Sequence, residues 1–443
     1  MYREISALLL YGELGEDSIL SRLGGIFRRW EAGDGDALEL RREIHLQIKR
    51  LLDLATAYGF DGNLWLNYLT YVILTNENSF SLTCEGRGAM PGGTVNELAR
   101  QDFDVFLRLM RYDFGPIEKD LGIDCFTLIQ NYTAIPKRES MYNRNAGRLV
   151  REMSAKLAGA RDADEAFELV TGFYRDHGVG DFAFSRAFRL GGSGDDLRLV
   201  PINNIENVSL GGIVGYAEQK RELIANTEAF IAGRGANNVL LYGDSGTGKS
   251  TSVKALINDY FDSGLRMIEI YKHQFRDLGG VIARIKNRSY RFIIFIDDLS
   301  FEEHEIEYKF LKAVIEGGVE TRPENMLIYA TSNRRHLIRE SWKDRNDMEH
   351  SGDLHRSDTV EEKLSLAQRF GLAICYSTPG RAHYHEIVRA LAAQQLNVEI
   401  DDAQLIAGAN TWEIRHGGVS GRTAQQYISH LAGRPSDNTG TEE

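Results

Sequence analysis

The chain has 443 residues, of which 42% are hydrophobic and 26% are charged. This length exceeds one compact core and predicts two or three domains of ordinary globular composition. The net charge of −12 argues against sequence-blind adhesion to nucleic acid or anionic membranes, although a local basic face stays compatible with it. Three scattered cysteines form no disulfide framework and indicate a reducing compartment. The sequence shows neither a signal peptide nor a membrane span, so we expect a cytoplasmic protein.

The predicted elements change in character along the chain. Residues 1–195 space apolar side chains three and four apart, which predicts a mainly helical N-terminal domain. It carries no catalytic pattern, so we assign partner recognition to it. Within residues 196–378, five short β-rich runs alternate with helical stretches, which predicts a parallel sheet covered on both faces. Residues 379–433 turn helical again, and the polar residues 434–443 are expected to be a disordered tail.

A glycine-rich loop follows the first of the β-rich runs. Residues 243–250 read GDSGTGKS and fit the pattern G-x-x-x-x-G-K-[ST] in full. Glycines let successive N–H groups point at anionic oxygens, and the helix that follows presents its positive end to them. Lys249 would contact the β and γ phosphates, while the Ser250 hydroxyl would bind Mg²⁺. The predicted phosphate-binding residues are Gly243, Asp244, Ser245, Gly246, Thr247, Gly248, Lys249, Ser250 and Thr251.

Two acidic residues end the third β-rich run. A buried strand would place Asp297 and Asp298 at its carboxyl end, beside the phosphate loop of an open parallel sheet. We expect Asp297 to hold Mg²⁺ with Ser250, and Asp298 to orient or deprotonate the attacking water. Aspartate is shorter than the glutamate that many enzymes of this kind carry at the second position. Slow turnover therefore stays open unless Glu302 or Glu303 compensates.

Three more polar residues complete the predicted site. Asn333 ends the fourth β-rich run, where its amide can hold the γ phosphate or the water. Arg369 precedes the fifth run and has little to contact in its own site, so we expect it to act on the nucleotide of a neighbouring subunit. Its alternative role is to complement a helix dipole. Arg422 begins a helix, where its charge opposes the dipole, and we expect it to contact phosphates from a lid.

These motifs together resemble the AAA+ branch of the P-loop ATPases. Walker A corresponds to residues 243–250, Walker B to Asp297 and Asp298, sensor 1 to Asn333, the finger arginine to Arg369 and sensor 2 to Arg422. Segments such as "DDLSFE", "ATSNRRHLIRE" and "GRTAQQ" are similar to a bacterial AAA+ family of ATP-binding proteins known as a domain of unknown function. This similarity covers about residues 200–432 closely and the N-terminal part more loosely.

The resemblance implies an α/β fold, with a parallel-sheet P-loop (AAA+) core at 196–378 and a C-terminal helical lid at 379–433. It also implies that Ile213, Val214, Gly215 and Tyr216 line an adenine pocket. The cofactors would be ATP and Mg²⁺, and the finger arginine implies a homo-oligomer, as a ring or hexamer. A guanine-reading N-K-x-D motif is absent from the sheet region, which favours ATP.

The expected function is an ATPase that couples its nucleotide cycle to remodelling of a protein or nucleic-acid partner. A slowly hydrolysing ATP-dependent switch is one alternative, motivated by the short Asp298. A loader or initiator that acts on DNA or RNA is another, and a small-molecule kinase ranks below both. The loader hypothesis depends on a basic run in which acidic residues are interleaved; its members are Arg334, Arg335, His336, Arg339, Lys343 and Arg345.

Overall fold

The computed structural model describes residues 1–135, 144–301, 305–316, 323–333, 366–396 and 400–433. The chain divides into two compact units. The first comprises Met1–Arg186 and Pro201–Asn204, and the second comprises Ala187–Val200 and the residues from Ile205 onward.

The N-terminal unit is mainly helical, and its helices begin where side chains cap them. Ser18, Asp36 and Asp162 each accept backbone N–H groups of the first turn, which a helix start otherwise leaves unpaired. Gly59, in the left-handed conformation, ends α3. The helices are α1 Tyr2–Ile5, α2 Ile19–Glu31, α3 Ala37–Tyr58, α4 Leu64–Thr75, α5 Ser79–Cys84, α6 Thr94–Met110, α7 Gly115–Leu121, α8 Cys125–Gln130, α9 Arg144–Gly159, α10 Ala163–Asp176 and α11 Asp181–Phe184.

Aromatic side chains fill much of the core of this unit. The rings of Phe114 and Phe126 stack with centroids 4.2 Å apart, and Trp65 packs edge-on against Phe114. The core also holds one acidic side chain, because Asp102 is completely buried. Its carboxylate accepts the backbone N–H groups of residues 9, 10 and 11 at 2.8–3.2 Å, which offsets the cost of burying it.

The second unit is organised around a seven-stranded sheet in the order β2-β1-β4-β5-β6-β3-β7. The pairs β1/β4, β4/β5, β5/β6, β6/β3 and β3/β7 are all parallel. Because β3, β5 and β6 are parallel, the loops that follow them leave the sheet at the same edge, and β6 lies between the other two strands. The strands are β1 Ala187–Gly191, β2 Arg198–Pro201, β3 Val239–Gly243, β4 Leu265–Glu269, β5 Arg291–Ile296, β6 Met326–Ser332 and β7 Leu372–Tyr376.

The helices of this unit form two groups: those that connect the strands of the sheet, and those that form a C-terminal lid. The helices between strands are α12 Ala217–Ile231, α13 Lys249–Tyr260, α14 Leu278–Ile285 and α15 Glu307–Glu316, and the lid helices are α16 Arg381–Gln395, α17 Asp402–Arg415 and α18 Gly421–Ala432. The lid has its own core, in which Tyr384, Val388, Ala409 and Ile428 are buried. Among the described ranges, no helix combines the length and apolar character needed to cross a bilayer.

The predicted fold class is confirmed: the chain has an α/β core with a parallel sheet, a helical lid and a mainly helical N-terminal part. All five β-rich runs are strands. Strands β1 and β2 were missed, and the predicted boundary at 195/196 falls between them. The second unit begins at Ala187 instead, because β1 pairs with β4 and so belongs to the sheet. A short segment such as Ala187–Gly191 becomes a strand through this pairing more than through its own periodicity.

Candidate functional site

The loop between β3 and α13 has the backbone curl that the sequence predicts. Gly243, Gly246 and Gly248 have φ angles of 129°, 75° and 89°, which side-chain-bearing residues rarely adopt. At Gly243 a Cβ atom would lie 2.1 Å from the carbonyl oxygen of Tyr376 on the neighbouring strand, so only glycine fits. The loop then runs directly into the N-terminus of α13 at Lys249. Exposed N–H groups at such a helix start form an anion site.

Lys249 is held inside this loop. Its ammonium group donates to the carbonyl oxygens of Gly243 and Asp244 at 2.9 and 2.6 Å, and to Oδ1 of Asn333 at 3.1 Å. The residue is only 6% exposed, and this burial lowers the pKa of the ammonium group. An anion placed beside it would favour the charged form, so the group is suited to phosphate oxygens.

The first acidic residue of the pair is tied to the loop and to β6. Oδ1 of Asp297 accepts the hydroxyl hydrogens of Ser250 at 2.5 Å and of Thr331 at 2.6 Å. A hydroxyl and a carboxylate in direct contact are oxygen ligands of the kind that Mg²⁺ prefers. Ser250 and Asp297 would therefore be suited to hold a magnesium ion, which would supply positive charge at this site.

The second acidic residue is linked to the end of β6. The backbone N–H of Asp298 donates to Thr331 Oγ1 at 2.9 Å, and its Oδ1 accepts from the Asn333 amide at 2.9 Å. Asp298 has a φ of 52°, which is uncommon for a non-glycine residue. Asn333 thus contacts both Lys249 and Asp298 and so links the phosphate loop to the acidic pair.

A cavity of about 910 Å³ joins these groups to the lid. The volume lies within the range of small-molecule sites. The segment before α12 and helices α16 and α18 also contribute to its wall. The lining includes Ser245 to Thr251, Asp297, Asp298, Asn333, Ile213, Val214, Tyr216, Ile387, Leu391 and Arg422.

Arg422 reaches the phosphate loop from the lid. Its backbone N–H donates to the carbonyl oxygen of Gly246 at 3.3 Å, and Ser420 caps the same helix start. A Cβ atom at Gly246 would lie 3.1 Å from the Cβ of Arg422, so the absence of a side chain at Gly246 lets the lid approach the loop. The first turn of α18 therefore packs directly on the phosphate loop.

Arg369 is not part of this arrangement. It does not line the cavity, and its guanidinium forms an ion pair with Glu316, the last residue of α15. The structure brings together the other predicted site residues but leaves this arginine apart from them. Glu302, Glu303, the basic run from Arg334 to Arg345 and the tail at 434–443 lie outside the described residues.

Sequence reasoning missed several contacts in the site. Thr331 contacts both members of the acidic pair, and its position two residues before Asn333 on the same strand was the available signal. Asp244 was assigned to phosphate binding, yet its carboxylate contacts Thr378. The cavity is also lined by lid glutamines that no motif indicated, namely Gln394, Gln395, Gln425 and Gln426.

Comparisons with known proteins agree with the family expected from the sequence. The family model described as "Protein of unknown function (DUF815)" matches residues 184–435, which is more than half of the chain. No curated protein matches. Among solved structures, the chain is similar to the Thermotoga maritima RuvB Holliday junction branch migration motor, with 17% identity, a TM-score of 0.35 and coverage of 50% of this chain and 63% of that one. A point mutant of that motor gives 18% identity, a TM-score of 0.36 and coverage of 50% and 64%. The chain thus spans less than two thirds of the length of these two structures.

Proposed function

Since the chain belongs to the family described as protein of unknown function (DUF815), its chemistry has to be inferred from the site itself, and we propose that it binds ATP with Mg²⁺ and hydrolyses it. One observation carries this proposal. A single cavity is lined by the phosphate loop, the acidic pair, Asn333 and the lid residue Arg422. A phosphate-binding loop alone would support only binding, whereas the acidic residues beside it support hydrolysis as well.

The described contacts suggest a role for each group. The loop amides and Lys249 bind the phosphates. Phosphate oxygens then replace the carbonyl oxygens of Gly243 and Asp244 as partners of the Lys249 ammonium group. Ser250 and Asp297 would hold magnesium, which supplies charge neutralisation at the phosphates. Asp298 accepts a hydrogen bond from Asn333, so one carboxylate oxygen has a fixed direction. The other oxygen is the candidate acceptor for a proton of the attacking water.

We further propose that the nucleotide cycle moves a macromolecular partner. Arg422 is attached to the loop through the first turn of α18, so a change at the phosphates acts directly on the lid. The N-terminal helical unit would recognise the partner, which is a protein or a nucleic acid. Arg369 would act on the nucleotide of a neighbouring copy in a homo-oligomeric ring, which requires that it leave Glu316. The small number of scattered cysteines favours a reducing compartment, and we propose the cytoplasm.

A slow switch is the second candidate function, and the geometry of Asp298 favours it. The short side chain extends from a left-handed backbone and already contacts the Asn333 amide. A carboxylate held in this way has little freedom to follow the water as it attacks. In this case the ATP-bound form would persist and would hold the partner, and hydrolysis would end the interaction.

Calorimetric titration of Mg-ADP and a Mg-ATP analogue, together with phosphate release from ATP, tests the proposal. We expect the wild-type protein to bind both nucleotides and Lys249→Ala to bind about 10- to 100-fold more weakly, because a hydrogen bond from a charged group is lost. Lys254→Ala is the matched control, since Lys254 lies on the same helix and does not line the cavity. Absence of heat with the wild-type protein, or equal affinity in Lys249→Ala, would contradict nucleotide binding.

The two candidate functions differ in rate. Turnover of about 1–10 per second is typical of working enzymes and would support a remodelling ATPase. Turnover far below this value, with partner binding that depends on ATP, would support the switch. A pull-down with Asp298→Asn protein in ATP should retain the partner in either case, because binding survives when hydrolysis stops.

A further inference from the structure

The connector between the sheet and the lid consists of residues 376–380, from the end of β7 to the residue before α16. Several hydrogen bonds from the nucleotide site meet on it. The backbone N–H of Asp244 donates to the carbonyl oxygen of Tyr376 at 3.0 Å. The hydroxyl of Tyr216 donates to the carbonyl oxygen of Ser377 at 3.0 Å. The ring of Tyr216 also packs on Tyr376, with centroids 5.0 Å apart.

The strongest of these contacts joins two side chains that no motif connects. Oδ2 of Asp244 accepts the backbone N–H of Thr378 at 2.7 Å and its hydroxyl hydrogen at 2.6 Å. These hydrogen bonds, that from the hydroxyl first, lower the pKa of the Asp244 carboxyl group. Both bonds involve a charged acceptor, so each is expected to be about twice as strong as a neutral one.

Asp244 poses an electrostatic problem in its position. It is the second residue of a loop that would bind a triphosphate, and a carboxylate near phosphate oxygens repels them. Thr378 orients the Asp244 carboxylate toward the connector, while the backbone carbonyl oxygen of Asp244 accepts a hydrogen bond from Lys249. The backbone of Asp244 thus contacts the phosphate-binding ammonium group, and its side chain contacts the chain that leads into the lid.

We propose that Asp244 and Thr378 form a clasp that positions the connector according to the state of the phosphate loop and so couples bound nucleotide to the lid. This inference rests on the proposed nucleotide binding and goes beyond it, because it assigns the coupling to one pair of side chains. Thr378 is a positioning residue in this account, since it acts through Asp244. The clasp has a second effect: it keeps the negative charge of Asp244 away from the phosphates.

The two effects separate in two variants. Thr378→Val keeps the shape and the backbone N–H but removes the hydroxyl, so the Asp244 carboxylate loses one of its two hydrogen bonds and is held less firmly away from the loop. Asp244→Asn keeps an acceptor oxygen but removes the charge, so the bonds to Thr378 weaken to those of a neutral acceptor. We therefore expect Thr378→Val to bind Mg-ADP more weakly and Asp244→Asn to bind it equally or more tightly. In both variants, nucleotide binding should change the lid less than it does in the wild type.

Hydrogen–deuterium exchange of the full-length protein, with and without Mg-ADP at saturation, measures both effects. In the wild type we expect slower exchange in peptides that cover 243–250 and in peptides that cover 377–396. In Thr378→Val the loop peptides should stay protected, while the nucleotide-dependent protection of 377–396 should fall about tenfold, as expected for one lost hydrogen bond to a charged group. Thr378→Ser retains the hydroxyl and should restore the response.

Thr411→Val is the matched control, because Thr411 is an exposed lid residue whose hydroxyl bonds within its own helix. If Thr378→Val binds Mg-ADP and protects 377–396 as the wild type does, the clasp is refuted and nucleotide binding stands. The clasp is also refuted if Asp244→Asn and Thr378→Val shift affinity in the same direction. If the wild type shows no protection at 243–250 and no binding heat, the proposed function itself fails.

Discussion

Replacing Thr331 by valine would remove one hydroxyl group from the centre of the acidic pair. Thr331 is 1% exposed and makes two contacts there. It donates to the Asp297 carboxylate at 2.6 Å and accepts the backbone N–H of Asp298 at 2.9 Å. Valine has nearly the same shape, so packing should be preserved and only the two hydrogen bonds lost.

The expected magnitude follows from these two contacts. A hydrogen bond to a charged group is worth about 1.5–3 kcal/mol, and a neutral one about 1 kcal/mol. Asp297 is exposed and keeps the Ser250 hydroxyl as a donor, so water offsets part of the first loss. We therefore expect the free energy of unfolding to fall by about 2 kcal/mol. If half of this energy serves to position Asp297 and Asp298 in the transition state, the barrier rises by about 1 kcal/mol and turnover should fall about fivefold.

A urea titration in which hydrogen exchange is read in peptides from β5 and β6 measures the stability of the sheet separately from that of the N-terminal unit. Phosphate release from ATP measures turnover. Thr331→Ser retains the hydroxyl and is the control for hydrogen bonding, while Thr411→Val controls for the change of residue type. Equal unfolding midpoints and equal turnover in Thr331→Val and Thr331→Ser would refute the reasoning.

Three further predictions concern the same site. Asp298→Glu should raise the rate of phosphate release about tenfold if carboxylate reach limits it, and a rate as low as that of Asp298→Asn would count against this limit. Arg369→Ala should abolish turnover while Glu316→Ala preserves it; matching losses would mean that the ion pair is only structural. Below about pH 4, Asp244→Asn should lose less stability than the wild type. Hydrogen bonds from Thr378 lower the pKa of Asp244 in the folded protein. The stability that Asp244 adds is therefore present above the pKa of the unfolded chain and is lost as the pH falls through the pKa of the folded protein. Parallel curves of melting temperature against pH for the variant and the wild type would contradict this.

Much of the site could be predicted because its chemistry restricts residue types within short segments. The phosphate loop needs glycines at fixed spacing, and a carboxylate after a buried strand is conspicuous. In the observed sheet β6 lies between β3 and β5, and this order places Asn333 between Lys249 and Asp298. These relations depend on local sequence and on one rule of sheet topology.

Other contacts depend on distant parts of the chain that only folding brings together. Thr378 lies 134 positions after Asp244, and a threonine before a proline has no distinguishing pattern of its own. Strand β1 was overlooked for a similar reason, since its pairing with β4 joins segments that are separated by helices and loops. The lid glutamines belong to amphipathic helices, in which the sequence alone does not show which polar residues face a cavity.

The buried carboxylate of Asp102 has a practical consequence for shortened versions of the protein. It accepts hydrogen bonds from the backbone N–H groups of residues 9, 10 and 11. Deleting the chain through residue 11 would remove these donors and leave an unpaired charge in a hydrophobic interior. Such truncates should be recovered as insoluble material or be cleaved rapidly by proteases. A deletion screen aimed at the second unit should instead cut near residue 187, where that unit begins.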